Sequence, residues 1–171
     1  FLGTQFVEIL DFILQKQSDF VKGRPEINLT GTFIQYRASM LNWCPVGRDA
    51  EMPDRKLFID FDNKKNVRKD LIDQLKKERA LKEWNVDFAL GGSTSIDIYP
   101  TGWDKTFCLS HISADERDVY FIGDKCQDGG NDKAIYDAIA ASNKGGAYET
   151  TSPQHTIQII KSIQKIIRER R

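Results

Sequence analysis

The chain has 171 residues, which is about the length of one ordinary domain or of two small ones. Its 25 Lys and Arg residues balance 25 Asp and Glu residues, and these charges are interspersed, so it is a poor candidate for broad binding of nucleic acid or of an anionic membrane, which requires a basic face. No apolar run approaches the length of a membrane span. The three cysteines form no CxxC pair, which favours reduced thiols and a cytoplasmic protein over a disulfide scaffold or a zinc site.

The first hundred residues predict helices combined with an antiparallel sheet. Hydrophobic periodicity and residue type indicate a helix over 4–21, a hairpin of strands 32–37 and 40–44, a highly charged helix over 64–82, and strands 86–90 and 95–99. A looser segment containing Pro53 separates the hairpin from the charged helix. In the last strand, alternation places Ile96 and Ile98 on one face and therefore Ser95 and Asp97 on the other.

After Pro100, predicted helices alternate with predicted strands. The expected elements are a helix near 104–113, a strand at 119–122, a helix near 131–142, a strand near 146–150, and a last helix capped by Ser152 before Pro153. This alternation favours a parallel sheet covered by helices. Because two strands are few for such a sheet, we expect further strands from sequence that precedes Phe1.

The segment 123–132 carries the clearest chemical signal. Asp124 directly follows a predicted parallel strand, which is where open α/β sheets bind their ligands. A Gly-Gly pair then permits a tight turn before Asn131 and Asp132. Mg²⁺ takes one or two carboxylates together with waters and phosphate oxygens. The segment is therefore either a metal site or a plain loop in which Asp128 stabilises a turn and Asp132 begins a helix.

Lys105 begins the predicted helix that enters this half of the chain. Near a metal and a phosphate, a lysine would hold an anionic oxygen as a point charge. The alternative is an ordinary lysine that faces solvent.

Three blocks of sequence, in order along nearly the whole chain, together resemble the eukaryotic-type phosphomannomutases of the haloacid dehalogenase superfamily. The blocks are GTFIQYR (31–37) with MLN (40–42) and PVGR (45–48), then GG (91–92) with SID (95–97) and GWDK (102–105), then FIGDK (121–125) with GGND (129–132).

The resemblance implies an α/β chain of two domains. Residues 1–101 would form a mobile α+β cap with an antiparallel sheet, which recognises substrate and dimerises, and residues 102–171 would form the C-terminal part of a Rossmann-like core. The implied enzyme is an isomerase that interconverts mannose 6-phosphate and mannose 1-phosphate for GDP-mannose synthesis. It would act through a phospho-aspartyl enzyme and a hexose 1,6-bisphosphate, would use Mg²⁺, and would be a homodimer.

The resemblance also assigns roles to individual residues by matching motifs. The implied substrate-binding residues are Arg37, Arg48, Arg55, Ser95 and Asp97. The implied Mg²⁺ site consists of Asp124 and Asp132 with Asn131 in support, and Lys105 is the implied catalytic lysine on the phosphate side.

The chain departs from the family pattern in three places. Ala38-Ser39 stands where Asn-Gly usually follows Arg37, and the stretch 136–148 differs from the family's second cation loop, so we expect no second cation site. The DxDGT motif, which holds the family's nucleophile and its acid/base, does not occur in the chain. We expect that motif upstream of Phe1, and we expect the chain alone to be inactive.

Two other functions fit the same residues. A sugar phosphatase of the same superfamily would share the metal loop and transfer the phosphoryl group to water, whereas a phosphosugar-binding module would need no nucleophile. Without the family match, an arginine such as Arg37 or Arg48 would more commonly pair with a surface carboxylate, a contact worth about 0–1 kcal/mol.

Overall fold

The elements of the computed structural model fall into two compact units, Phe1–Gly102 and Trp103–Arg171. The structure describes residues 3, 5–23, 26–112, 118–142 and 145–170. In chain order the elements are α1 (Gln5–Gly23), β1 (Ile34–Tyr36), β2 (Leu41–Trp43), α2 (Met52–Lys65), α3 (Val67–Lys82), β3 (Val86–Gly91), β4 (Ser95–Pro100), a 3-10 helix (Lys105–His111), β5 (Val119–Gly123), α4 (Lys133–Ala140), β6 (Gly145–Glu149) and α5 (Pro153–Glu169). None of the described helices is both long and apolar enough to cross a membrane.

The N-terminal unit is built on a four-stranded antiparallel sheet with the strand order β1-β2-β4-β3. One face of this sheet is apolar and packs in one core with α1 and α3. Trp43 in β2 lies opposite Ile34 in β1 and Ile96 in β4, and Trp43 and Ile96 are fully buried. Burial of such side chains stabilises the unit by roughly 1.5–3 kcal/mol each.

The opposite face of the same sheet carries a row of polar side chains. Gln35 in β1, Asn42 in β2 and Asp97 in β4 lie side by side in register, and Ala89 in β3 completes the row. Since neighbouring residues of a strand point to opposite faces, burying Trp43 and Ile96 fixes Asn42 and Asp97 on the polar face. The alternation predicted for 95–99 is therefore confirmed.

The expectation for residues 52–65 was wrong. They form α2 instead of a loose segment, and the charged helix begins at Val67 instead of residue 64, because Asn66 between the two helices adopts a left-handed conformation (φ 54°). Pro53 does not break α2 because it lies in the first turn, where a missing N–H costs no intrahelical hydrogen bond.

The C-terminal unit contains a two-stranded parallel sheet in which Phe121 of β5 pairs with Ala147 of β6. The predicted strands and helices are present here with shifts of one or two residues, except that the helix expected near 104–113 is a 3-10 helix. Its expected last residue lies outside the described residues. Ser152 accepts a hydrogen bond from the His155 amide (3.1 Å), so the predicted cap of α5 is confirmed. Taken together, an antiparallel sheet, a parallel sheet and helices confirm the α/β class.

The turn at Gly47 is the tightest backbone constraint next to the polar face. Gly47 has φ +93°, and a Cβ atom there would lie 1.5 Å from the Thr30 carbonyl oxygen. Gly92 also has a positive φ (+57°), but a Cβ atom there would meet nothing within 4 Å. Glycine is therefore required at position 47 by both conformation and space, and at position 92 by conformation alone.

We expect Gly47→Ala to lower the free energy of unfolding by at least about 3 kcal/mol, because backbone must move to relieve the clash. Gly92→Ala should lower the free energy of unfolding by about 1–2 kcal/mol, because only the left-handed conformation is unfavourable there. Urea unfolding of both variants checks this, and equal losses would contradict the described turn.

Candidate functional site

Arg48 reaches the polar face of the sheet from the turn after Gly47. Its guanidinium NH1 donates a hydrogen bond to Asn42 Oδ1 (2.7 Å), and its backbone N–H donates to the Thr32 carbonyl (3.2 Å). The side chain is half-buried. The guanidinium is therefore held beside the sheet, while most of its five donors have no partner among the described residues and can serve a ligand.

Asp97 lies on the other side of Asn42. Asn42 Nδ2 donates to Asp97 Oδ1 (2.6 Å), so one amide links Arg48 to Asp97. A Cβ atom at Gly91 would lie 2.7 Å from the same carboxylate oxygen. The absence of a side chain at Gly91 thus leaves the space that the Asp97 carboxylate occupies.

Arg55, in the first turns of α2, holds the surrounding loops. Its Nε donates to the Ala50 carbonyl (2.8 Å), NH2 to the Arg48 carbonyl, and NH1 to the Thr94 hydroxyl (3.3 Å). Thr94 directly precedes Ser95, which is 5% exposed. Arg55 therefore connects the turn that carries Arg48 to the turn that leads into β4.

Arg37 follows β1 and is exposed. Its Nε donates to Gln35 Oε1 (2.9 Å), and Gln35 lies opposite Asn42 in the sheet. Ala38, one of the residues that depart from the family pattern, adopts a left-handed conformation (φ 53°) in the turn after Arg37. The structure thus brings Arg37, Arg48, Arg55, Ser95 and Asp97 to the same sheet and its adjoining turns.

In the part of the chain that the structure describes, these arginines have no carboxylate partner. Within the described residues, no Asp or Glu oxygen lies within 4.0 Å of the guanidinium nitrogens of Arg37, Arg48 or Arg55. By contrast, Arg68 and Arg79 of the same unit do pair with aspartates. The alternative of ordinary surface ion pairs therefore does not hold for the three arginines in the described part of the chain. Guanidinium groups in such surroundings suit a phosphate, which they bind through charge-assisted hydrogen bonds.

Sequence reasoning missed Asn42 and Thr94 as parts of this network. A signal for Asn42 exists, because it is a polar residue between Leu41 and Trp43 in a predicted strand and so points away from the core. Thr94 has no comparable signal, since its role depends on a contact with Arg55 across 39 positions of sequence.

Sequence reasoning also gave no indication of a role for Arg68, which holds the turn that leads into β4. It is buried, its Nε and backbone N–H bind the Asp62 carboxylate (2.7 and 2.8 Å), and its NH1 donates to the carbonyls of Gly92 and Ser95. The buried ion pair thereby fixes the turn between β3 and β4, from which Ser95 and Asp97 emerge.

In the C-terminal unit, Asp132 is a buried carboxylate with protein partners on both oxygens. Oδ1 accepts from Lys105 Nζ, and Oδ2 accepts from the backbone N–H groups of Asp124 (3.2 Å) and Lys125 (3.1 Å). A Cβ atom at Gly123 would lie 2.8 Å from Oδ2, so the glycine leaves room for the carboxylate. Asp132 therefore holds the backbone after β5 and orients Lys105.

Burial raises the pKa of the Asp132 carboxyl. The hydrogen bond from Lys105 and those from the backbone amides lower it, and together they leave this pKa below its ordinary value of 3.8. The carboxylate is consequently ionised at neutral pH despite its burial.

Asp124 differs from Asp132 because its side chain is exposed at the C-terminal end of β5. Asn131 is exposed in the same loop. Among the described residues, no group of three or more His, Cys, Asp or Glu side chains could hold a metal ion. One outward carboxylate does fit Mg²⁺, which commonly binds through one or two carboxylates with waters and phosphate oxygens. The donor set therefore fits with Asp124 as the ligand and Asp132 as its support.

The family model for eukaryotic phosphomannomutase matches residues 2–166 of this chain. The chain belongs to this family. A curated phosphomannomutase from Drosophila melanogaster is 36% identical to it, in an alignment that covers 80% of this chain and 52% of the relative. A curated phosphomannomutase from Schizosaccharomyces pombe is 37% identical, in an alignment that covers 80% of this chain and 51% of the relative. A probable phosphomannomutase from Caenorhabditis elegans is 33% identical over 92% of this chain and 58% of its own length. The resemblance found in the sequence is thereby confirmed, and the chain spans about half the length of the curated relatives it matches.

A solved structure of N-terminally truncated, IMP-bound Plasmodium falciparum IMP-nucleotidase also matches this phosphomannomutase-family chain. The TM-score is 0.53 with 16% identity, over 95% of this chain and 39% of that chain. At this identity the match shows a shared fold alone.

We expect Asp132→Asn to lower the free energy of unfolding by about 1–3 kcal/mol at pH 7, because Lys105 and two backbone amides lose an anionic acceptor. Since the pKa of Asp132 is lower in the folded than in the unfolded state, its stabilising contribution is present above pH 3.8 and is lost as the pH falls through the folded-state pKa. The difference in free energy of unfolding between the unchanged protein and Asp132→Asn should therefore decrease at acid pH.

Urea unfolding at a series of pH values measures this difference. Asp128→Asn in the same loop is the matched control, because the Asp128 side chain is fully exposed, and it should change little at any pH. A wild-type advantage over Asp132→Asn that stays constant down to pH 2 would contradict the proposed ionisation.

Proposed function

We propose that this chain is the substrate-binding and metal-binding part of a phosphomannomutase, which interconverts mannose 6-phosphate and mannose 1-phosphate and so supplies GDP-mannose synthesis. The observation that carries the proposal is the polar face itself, where arginines that have no carboxylate partner among the described residues adjoin the Asn42–Asp97 pair. Such a face offers a dianion-binding group and a hydroxyl-binding group close together.

The arginines would bind the phosphate that is not being transferred. Each charge-assisted hydrogen bond is worth roughly 1.5–3 kcal/mol, so Arg48 with Arg37 or Arg55 can hold a phosphate dianion firmly. Arg55 donates its hydrogen bonds mainly to loop carbonyls and to Thr94. Its main contribution to phosphate binding is therefore to fix the turn that carries Arg48, and it also adds positive charge.

Asp97 and Ser95 would bind ring hydroxyls. An ionised carboxylate accepts several hydrogen bonds, and the structure assigns one of them to Asn42, so Asp97 retains acceptor capacity for sugar OH groups. The reaction requires a hexose bisphosphate to turn end for end. A face that binds one phosphate and the neighbouring hydroxyls can accept either orientation of that intermediate, because the bisphosphate has a phosphate at each end.

The C-terminal unit would contribute the Mg²⁺ ligand Asp124, with Asn131 in the same loop. When bound, Mg²⁺ neutralises charge on the transferring phosphoryl oxygens. Asp132 holds the Asp124 backbone and ion-pairs with Lys105, which places the lysine charge beside that loop. We place the phosphorylated aspartate outside these 171 residues, since they contain no DxDGT motif.

The remaining features follow from the same proposal. The N-terminal unit acts as the cap and as the dimer contact, and the C-terminal unit belongs to a Rossmann-like core. The enzyme works in the cytoplasm with hexose 1,6-bisphosphate as its activator.

The test is to assay the protein expressed from its complete gene with mannose 1-phosphate, Mg²⁺ and hexose bisphosphate. Bisphosphate-dependent formation of mannose 6-phosphate supports the proposal, whereas release of inorganic phosphate without isomerisation would indicate a sugar phosphatase. The 171-residue chain alone should turn over no mannose phosphate, and measurable mutase activity there would contradict the placement of the nucleophile.

We expect Arg48→Ala to lower kcat/KM by ten-fold or more, because about 1.4 kcal/mol of binding free energy corresponds to ten-fold and Arg48 supplies charged donors to the phosphate. Arg79→Ala is the matched control, since Arg79 lies in the same unit but its charge is already paired with Asp87 (2.6 Å). Steady-state kinetics measure both variants. An unchanged kcat/KM for Arg48→Ala, or an equal loss for Arg79→Ala, would remove Arg48 from the site.

A further inference from the structure

Asn42 is a buried amide between a cation and an anion. Only 3% of the residue is exposed, and it lies at the centre of β2 between Leu41 and Trp43, both of which are fixed in the core. Its oxygen accepts from Arg48 and its nitrogen donates to Asp97. Neither bond is needed to form the sheet, whose hydrogen bonds are made by the backbone.

The charges on either side determine the orientation of this amide. With the oxygen toward Arg48 and the NH₂ group toward Asp97, both hydrogen bonds are charge-assisted. The flipped amide would place NH₂ donors against the guanidinium and an acceptor against the carboxylate, so it would lose both bonds. A single orientation is therefore held, and with it the separation of the two charged groups.

The separation has a consequence for ligand binding. Without the amide, the Arg48 guanidinium and the Asp97 carboxylate would share one partly buried polar face with nothing between them. Guanidinium and carboxylate groups pair strongly and often through two hydrogen bonds, so a direct pair would consume the donors and acceptors that a ligand needs. A side chain that accepts from one group and donates to the other satisfies both and keeps them apart.

We propose that Asn42 is a positioning residue that prevents Arg48 and Asp97 from pairing with each other, and thereby keeps the guanidinium available to a phosphate and the carboxylate available to hydroxyls. The inference rests on the proposed function for the identity of the ligand. Asn42 itself takes no part in phosphoryl transfer.

The first test replaces Asn42 by Leu, which is of similar size and makes neither hydrogen bond, in the protein expressed from its complete gene. Affinity for inorganic phosphate and for mannose 1-phosphate is measured by calorimetry, and the folded fraction by circular dichroism. We expect both ligands to bind at least ten-fold more weakly, because Arg48 and Asp97 pair directly.

The decisive variant adds Asp97→Asn to Asn42→Leu. Removing the competing carboxylate charge frees Arg48, so affinity for inorganic phosphate should recover at least three-fold relative to Asn42→Leu, while affinity for mannose 1-phosphate should stay below that of the unchanged protein because the anionic acceptor for the sugar hydroxyls is gone. A purely structural role for Asn42 predicts no such recovery, and its absence would overturn the inference.

Gln17→Met is the matched control. Gln17 is also a buried amide with two hydrogen bonds, from Trp43 Nε1 (2.8 Å) and to the Pro45 carbonyl (3.0 Å), but it lies on α1. The Gln17→Met variant should have a lower free energy of unfolding but an unchanged affinity for phosphate. An equal loss of affinity in Gln17→Met would show that any buried amide in the unit has the same effect, and would overturn the inference.

If Asn42→Leu does not fold, Asn42→Asp decides the question. The new carboxylate keeps the size of the side chain and pairs with Arg48, so phosphate should bind at least ten-fold more weakly at pH 7.5. Unchanged phosphate affinity would overturn the inference. Failure of the unchanged protein to bind either ligand would instead overturn the proposed function, and the inference with it.

Discussion

Burial of one face of a four-stranded sheet is the constraint on which the candidate site depends. Trp43 and Ile96 are fully buried against helices of the N-terminal unit, so a slip of either strand by one residue would expose them. The same register puts Asn42 and Asp97 side by side on the opposite face. The apolar core therefore determines the spacing of the polar groups, and the ion pair between Arg68 and Asp62 fixes the turn that leads to them.

The two units handle charge in opposite ways. In the N-terminal unit, Arg48 is held by a neutral amide and by its backbone, so its charge remains available to an anion. In the C-terminal unit, the Asp132 charge is matched by Lys105 and two backbone amides, so it is used within the protein to shape the loop. This contrast separates a side chain suited to ligand binding from one suited to support.

Much of this could be predicted from the sequence. Two-residue alternation predicted the faces of β4, and the three motif blocks predicted the family and the residues near the polar face. The sequence did not predict α2, because a proline at the start of a helix looks locally like one in a loop. Nor did it predict that Asp132 is buried while Asp124 is exposed, since the burial of Asp132 depends on contacts such as that with Lys105, which lies 27 positions away. Asn42 has a local signal, but its two partners are set by the fold.

A crystal structure of the protein with mannose 1-phosphate bound would show whether the polar face of the sheet binds the phosphosugar. We expect phosphate oxygens at about 2.7–2.9 Å from the guanidinium nitrogens of Arg48 and of Arg37 or Arg55, with sugar hydroxyls on Asp97 and with Asn42 still between Arg48 and Asp97. A phosphosugar bound on another surface, with the polar face of the sheet unchanged, would contradict this expectation.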